Sequence, residues 1–479
     1  MDPATRPRRL TSYANDPFTQ NIAAGIGIAF SAGVFVSLNL LGAGGGRPES
    51  AHIIQIANAI LSSVWFLSAC IGGTYLNLLG PGVTMCFGIC TYALYVGSLW
   101  YYESTGQETF PLVGGAVIGV GAGAVFITSG YIQVVYSSDE NKGKFIAVQN
   151  SLQAGGSIIC SILPVVLNRE NASRSGVPAA VYITYIAVML GVAMLSLVAL
   201  RRPAELKKAV PEASGLPKKK SFTAELRVNL AVFKDWKLLV LLPAFLPAGS
   251  FLIYLGSINA FENNLRARSL LSFIALVVQI PLGHVLHLIL DYRKWSRRRR
   301  GLTGLCFVAV PLCVAWIWEI IRTRNLNRAS PPEHPVDWTE PRYGPAMVLF
   351  VMNWTASILW QYLVPWFIGN LDIPEEKISH YMGVQRGFLA AGEAICFGVD
   401  AAKIPYVAFA GAIFAFYAVG IAALAYMGSC HLTASSRAQP EMGVFGEDGA
   451  CGVEEEKDEA LSAIGTNSTG TKQSCHVQV

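Results

Sequence analysis

Charge is scarce in this chain. Of its 479 residues only 14% are Asp, Glu, Lys or Arg, while 53% are hydrophobic, about half the charge of an ordinary soluble domain. A water-soluble exterior for a chain of this size is thereby excluded. The net charge of +5 is spread over short basic blocks between apolar runs, which suits flanks of membrane spans rather than a nucleic-acid surface. No P-loop, G-x-S-x-G, H-E-x-x-H or post-strand glycine fingerprint occurs, so neither an enzyme nor a cofactor or metal is expected. The ten cysteines form no CxxC or Cys/His spacing and no disulfide framework. Most lie inside apolar segments, where a thiol acts as a small hydrophobe. Cys430, just beyond the last of these, is either a free thiol or an acylation site.

What the chain does have is long apolar runs, with a mean hydropathy of +0.43. A helix crossing a bilayer needs about 20 apolar residues, and twelve segments qualify. They are 21–41, 53–75, 83–101, 111–136, 144–168, 178–200, 237–258, 269–290, 301–321, 344–368, 378–400 and 405–427. They are too long and continuous for strands, and a helix satisfies its own backbone in lipid. The predicted class is an all-α membrane protein of twelve transmembrane helices. The N-terminus carries Arg6, Arg8 and Arg9 with no short apolar core and cleavage site behind them, so the first span is expected to persist in the mature protein.

Counting Lys and Arg in alternate loops gives 21 on the side of the N-terminus and 10 on the other. Both termini are therefore predicted to be cytosolic, in a plasma membrane or endomembrane. Residues 1–20 form a cytosolic segment, 21–200 a first six-helix half, 201–236 a basic linker with Lys218–Lys220, 237–427 a second half, and 428–479 a disordered tail rich in Gly, Ser, Thr and Glu. Within the linker Phe222, Leu226, Leu230 and Phe233 recur at helical spacing. That pattern fits a helix on the membrane surface or a short helix packed under the bundle. With this topology Asn171 is expected to be glycosylated in a secretory pathway and Asn467 to stay bare. Glycosidase mapping checks this, and protection data placing 201–236 on the non-cytosolic side would overturn the orientation.

Two six-span halves about a basic loop match the facilitator arrangement, with a solute site at mid-membrane between them. Gly73-Thr74-Tyr75-Leu76-Asn77-Leu78-Leu79-Gly80-Pro81 keeps the glycine frame of the facilitator signature G-x-x-x-D-R-x-G-R. Asn77 stands at its acid, and Leu78 and Pro81 at its arginines. Asp291 and Arg297–Arg300 keep the charges after span eight, as a one-sided gate or as a positive-inside anchor. Gly115, Gly119 and Gly123 put a flat stripe on span four, and the arginine usual there in proton-linked facilitators is missing.

Arg386, Glu393 and Asp400 stand seven apart in span eleven, on one helix face. Ionisable groups in hydrocarbon are costly unless paired or wetted. They either line a cavity or, for Arg386 and Asp400, reach toward the two surfaces. Asn39, Asn58, Gln133, Gln149, Asn150, Gln153, Gln279 and Gln361 are further polar groups within spans, each placed either to contact a solute or to hold helices together. His284 and His287 are three apart but lack partners for a metal.

Several segments resemble the Unc-93-like branch of the major facilitator superfamily, fungal type. They are Gly33-Val34-Phe35 to Asn39, Leu41 and Gly42-Ala43-Gly44-Gly45; Lys142-Gly143-Lys144-Phe145-Ile146; Asn264-Leu265-Arg266-Ala267-Arg268; Asp337-Trp338-Thr339 with Tyr343, Trp360-Gln361 and Gly369; and Tyr381, Gly383, Gly387 and Gly392. The likeness spans residues 15–430. Glu393 departs from it where small residues are usual, and Pro365 is expected to interrupt span ten. The resemblance implies the transporter fold. It leaves two activities open: transport of a small organic solute or ion by alternating access, or a non-transporting accessory role toward a channel or the trafficking of another membrane protein. For the first, Arg386, Glu393, Trp360, Gln361 and Asn39 are the cavity candidates. For the second, glycine-rich faces and basic loops are the docking features.

Overall fold

The computed structural model describes residues 15–40, 51–138, 140–167, 179–202, 206, 222–328, 330 and 335–432. Asn171, Lys218–Lys220, Asn467 and the tail lie outside them, as do residues 41–50. Sixteen helices account for almost all of the described chain: α1 Pro17–Ala29, α2 Ala32–Leu40, α3 Ala51–Cys70, α4 Gly72–Leu79, α5 Pro81–Thr105, α6 Thr109–Val135, α7 Lys142–Leu167, α8 Ala179–Ala199, α9 Phe222–Val232, α10 Trp236–Phe245, α11 Pro247–Glu262, α12 Leu265–Leu290, α13 Arg297–Thr323, α14 Tyr343–Asn370, α15 Glu375–Ala401 and α16 Tyr406–Cys430. No strand occurs among the described residues; Asn263 and Val336 make one isolated bridge.

Each predicted span is helical. Three are broken into two pieces: α1–α2 near Phe30, α3–α4 at Ile71, and α10–α11 at Leu246. At the last break Pro247 has no N–H to return to the preceding turn. Among the described residues, ten stretches are long and apolar enough to cross a membrane. The fifth and eleventh predicted spans, α7 and α15, reach 26 and 27 residues but are not among those ten. Pro365 does not interrupt span ten, because α14 runs through it unbroken. Neighbouring helices make such a proline tolerable inside a membrane bundle.

α3, α5, α6 and α8 pack together, with α1 and α2 against α7; later in the chain α13, α14 and α16 pack together, with α11 against α15. Two seams join the early helices to the late ones, α3 with α15 and α7 with α12. On the first seam α15 lies directly on the α3 backbone. A Cβ on Gly383 would stand 2.6 Å from Ala69 O. The α6 stripe is spent inside the chain in the same way, with Gly115, Gly119 and Gly123 facing Ala57, Leu61 and Ser68 of α3. The expectation that this glycine face docks a separate membrane protein is therefore corrected: α3 already covers it.

Helix α9 bears on the two readings of the linker stripe. Phe222 and Leu230 are exposed, at 56% and 57%, whereas Glu225 and Asn229 are buried. Glu225 and Asn229 pack on the bundle together with Val232, Phe233 is partly buried against the core, and Phe222 and Leu230 look out. Asn229 Nδ2 donates to Cys70 O at 2.7 Å, and Asn77 Nδ2 donates to Glu225 Oε2 at 3.2 Å. His380 Nε2 of α15 stands 3.6 Å from the same Glu225 oxygen.

Candidate functional site

At the end of the bundle where α9 lies, polar contacts tie early helices to late ones. Asp291, which follows α12, accepts from Gly143 N at 2.8 Å and Lys144 N at 2.7 Å. Its carboxylate thus caps the first turn of α7, where free N–H groups and the helix dipole favour an anion. Lys142 Nζ donates to Gly369 O at the end of α14, and Arg293 pairs with Glu140 at 3.0 Å.

The signature loop is likewise engaged, although it lacks its own charges. Gly80 takes φ +84°, a conformation glycine adopts without steric cost. Arg202, from the end of α8, donates to Leu78 O at 3.3 Å and Leu79 O at 2.8 Å. An arginine from α8 and an acid from α9 therefore reach the loop whose own positions hold Leu78 and Asn77. The gate is not one-sided, since both loops are held.

Toward the other end, ion pairs among the described residues stay within the late helices. Arg322 pairs with Glu262 at 2.6 Å and Glu319 at 2.8 Å, and Tyr254 OH donates to Glu319 at 2.8 Å. Arg328 pairs with Asp400 at 2.6 Å, and Ser257 Oγ donates to the same Asp400 oxygen. Asp400 is thus a structural partner and does not extend the line of Arg386 and Glu393.

Between the two ends lies a cavity with about 870 Å³ of empty space, counting its opening to solvent. Helices α2, α3, α5, α6 and α7 wall it on one side and α11, α12, α14 and α15 on the other. Arg386, Glu393 and Gln361 line it. Glu393 accepts from Ser62 Oγ of α3 at 3.4 Å, a contact across the α3–α15 seam. Gln361 donates its amide to Ala248 O. Gln279 accepts from Trp354 Nε1 at 2.7 Å.

Arg386 is 4% exposed. Its guanidinium carbon stands 5.2 Å from the Phe126 ring centroid, and Phe126 stacks on Trp65 at 4.9 Å. Its Nε is buried with no hydrogen-bond partner. A cation–π contact gives about 2 kcal/mol when desolvated, while burying an ion costs several kcal/mol. Phe126 alone does not offset the burial of this charge.

Trp360 stands apart from the lining. It is fully buried, its Nε1 donates to Ala244 O at 2.8 Å, and it meets Tyr417 edge to face at 5.6 Å, so it packs α14 against α10 and α16. The Asn39 side chain lies outside the described residues. Gln149 belongs to a buried network, accepting from Ser129 and Gln133 and donating to Asn21 at 3.1 Å. His284 Nδ1 is 2.9 Å from Ile280 O, and no group of three or more metal-binding side chains occurs among the described residues. Asn150 and Gln153, expected as polar groups within a span, line the cavity from α7, whereas sequence reasoning passed over Ser157 and the aromatic walls Phe35, Tyr92 and Phe251. For Ser157 the available signal was a polar residue inside an otherwise apolar span; the aromatics carried none.

A bundle of membrane-length helices enclosing a mid-depth cavity between early and late helices has the architecture of a multi-pass membrane transporter. The chain belongs to the Major Facilitator Superfamily, whose sequence profile matches residues 21–320. It is similar to a membrane protein of Schizosaccharomyces pombe, 32% identical over 394 residues, 81% of this chain and 79% of that one. It is also similar to UNC93-like protein 1 of Arabidopsis thaliana, 28% identical over 394 residues, 82% of this chain and 85% of that one. The Unc-93-like resemblance read from the sequence is thereby borne out. Among solved structures, the proton:xylose symporter XylE bound to 6-bromo-6-deoxy-D-glucose has the same fold, with a TM-score of 0.61, 11% identity, and coverage of 88% of this chain and 97% of that one.

Proposed function

We propose that the protein is a secondary transporter of a small organic solute or ion, in which helices 21–200 rock against helices 237–427 about the central cavity. The observation that carries this reading is the cavity itself, lined by both groups of helices, with the two ionisable side chains Arg386 and Glu393 on one face of α15. Seven residues of helix separate them by about 10 Å along the axis. With the linker cytosolic, as the loop charges favour, the clasped end faces the cytosol and this is an outward-facing arrangement. The accessory reading loses one of its supports, because the glycine stripe of α6 is covered by α3.

Flux into proteoliposomes containing the purified full chain tests the proposal, and absence of flux across a broad panel of solutes and ions would favour the accessory role. Glu393→Gln is expected to leave melting temperature unchanged and to lower flux by about tenfold, the scale of one lost charge-assisted hydrogen bond, or to change its pH dependence. Lost stability with unchanged flux per folded molecule would make Glu393 a structural residue.

A further inference from the structure

We infer that the transported solute is an organic acid with a flat apolar body, and that Arg386 is the group that holds its carboxylate. This rests on the reading of the cavity as the solute site, and it concerns the chemistry that the site selects. The argument starts from an asymmetry between the two ionisable residues. A carboxyl group in a poorly solvated site can shed its charge by taking a proton, and Glu393 also has Ser62 as a hydrogen-bond donor at 3.4 Å. A guanidinium cannot shed its charge.

Arg386 is more than nine-tenths buried, lines the cavity, and leaves Nε without a hydrogen-bond partner. Among the described residues no carboxylate lies within ion-pair distance of it. What this cation calls for is an anion, and the fork of N–H donors fits a planar carboxylate through two parallel bonds.

The walls define the rest of the solute. Phe126 faces the guanidinium and stacks on Trp65, while Phe35, Tyr92 and Phe251 complete an aromatic surround. Such walls favour an apolar, preferably aromatic, body over a hydrated inorganic anion. Polar groups set among mostly apolar walls are also the usual composition of a site that orients a small organic ligand.

The test uses the full chain in lipid nanodiscs and three probes of one shape: 3-phenylpropanoate, 3-phenylpropylamine and 3-phenylpropanol, with sodium sulfate as the inorganic control. Melting temperature and calorimetric titration are read at fixed ionic strength. The acid is expected to bind saturably and raise the melting temperature, and the other three are not. Arg386→Gln should weaken acid binding by roughly tenfold or more. Arg386→Lys, which keeps the charge without the fork, should weaken it less while still preferring acid to amine.

Equal binding of the amine or the alcohol, an equal effect of sulfate, or undiminished acid binding in Arg386→Gln would overturn the inference. If Arg386→Gln does not fold, Arg386→Lys binding all three probes equally well would do the same. The outcome separates from that of the transport reading. Acid binding without flux sinks transport and leaves Arg386 as a carboxylate site, whereas flux of a cation without acid binding does the reverse.

Discussion

Arg322→Ala is expected to destabilise the fold by about 3–5 kcal/mol, the cost of breaking a buried pair by removing one partner. Arg322 is held between Glu262 at 2.6 Å and Glu319 at 2.8 Å, with Glu319 only 3% exposed at its side chain. Its removal strands two carboxylates between α11 and α13. Tyr254 OH, which donates to Glu319 at 2.8 Å, would be the sole remaining donor for that acid among the described contacts. The expected readouts are a sharp fall in monodisperse yield from detergent and a lowered melting temperature. A double variant, Arg322→Leu with Glu319→Gln, should recover part of the loss, since it removes a buried cation together with a buried anion. Near-normal stability of Arg322→Ala would show that water reaches these acids.

The second large effect is expected for Gly119→Leu. A Cβ at this position would lie 2.6 Å from Leu61 O and 2.8 Å from Val64 Cβ, and the isobutyl group beyond it has nowhere to go between α6 and α3. Because Leu61 and Trp65 on α3 line the cavity, a shift of α3 would deform the site as well as the packing. Overpacking of this kind typically costs about 1–3 kcal/mol, occasionally more, and membrane helices that meet on small residues depend on that close approach. Loss of correctly folded protein is the expected result. Normal yield and thermal stability of the variant would mean that this face does not meet α3.

The spans were legible because hydrocarbon imposes length and apolarity on every crossing helix, and a run such as 178–200 has no other explanation. The i, i+7 spacing of Arg386 and Glu393 likewise put both on one face of α15, and both line the cavity. Asp400 shares that spacing but meets Arg328, a residue 72 positions away in a loop, which no local pattern announces. Trp360 and Gln361 are adjacent in sequence, yet a turn of about 100° per residue sends one toward α10 and α16 and the other to the cavity wall. Glu319 and Arg322 were readable as an i, i+3 acid–base pair at the end of a span, but only the fold supplies Glu262. The α9 stripe left two readings open, a surface helix or one packed under the bundle, because periodicity alone does not say what covers a face.

The polar contacts of α9 make it more than a tether. Glu225 and Asn229 grip Asn77 and Cys70 on the early side of the α3–α15 seam, and Glu225 also stands beside His380 on the late side. A rearrangement that parts α4 from α15 at this end must therefore choose which side keeps Glu225. The helix is a shared fastener whose loss from either side enters the free-energy difference between closed and open forms. A bias of about 1.4 kcal/mol in that difference moves the population ratio tenfold. Within the linker, α9 thus contributes to the mechanics of the seam as well as to the connection of two bundles.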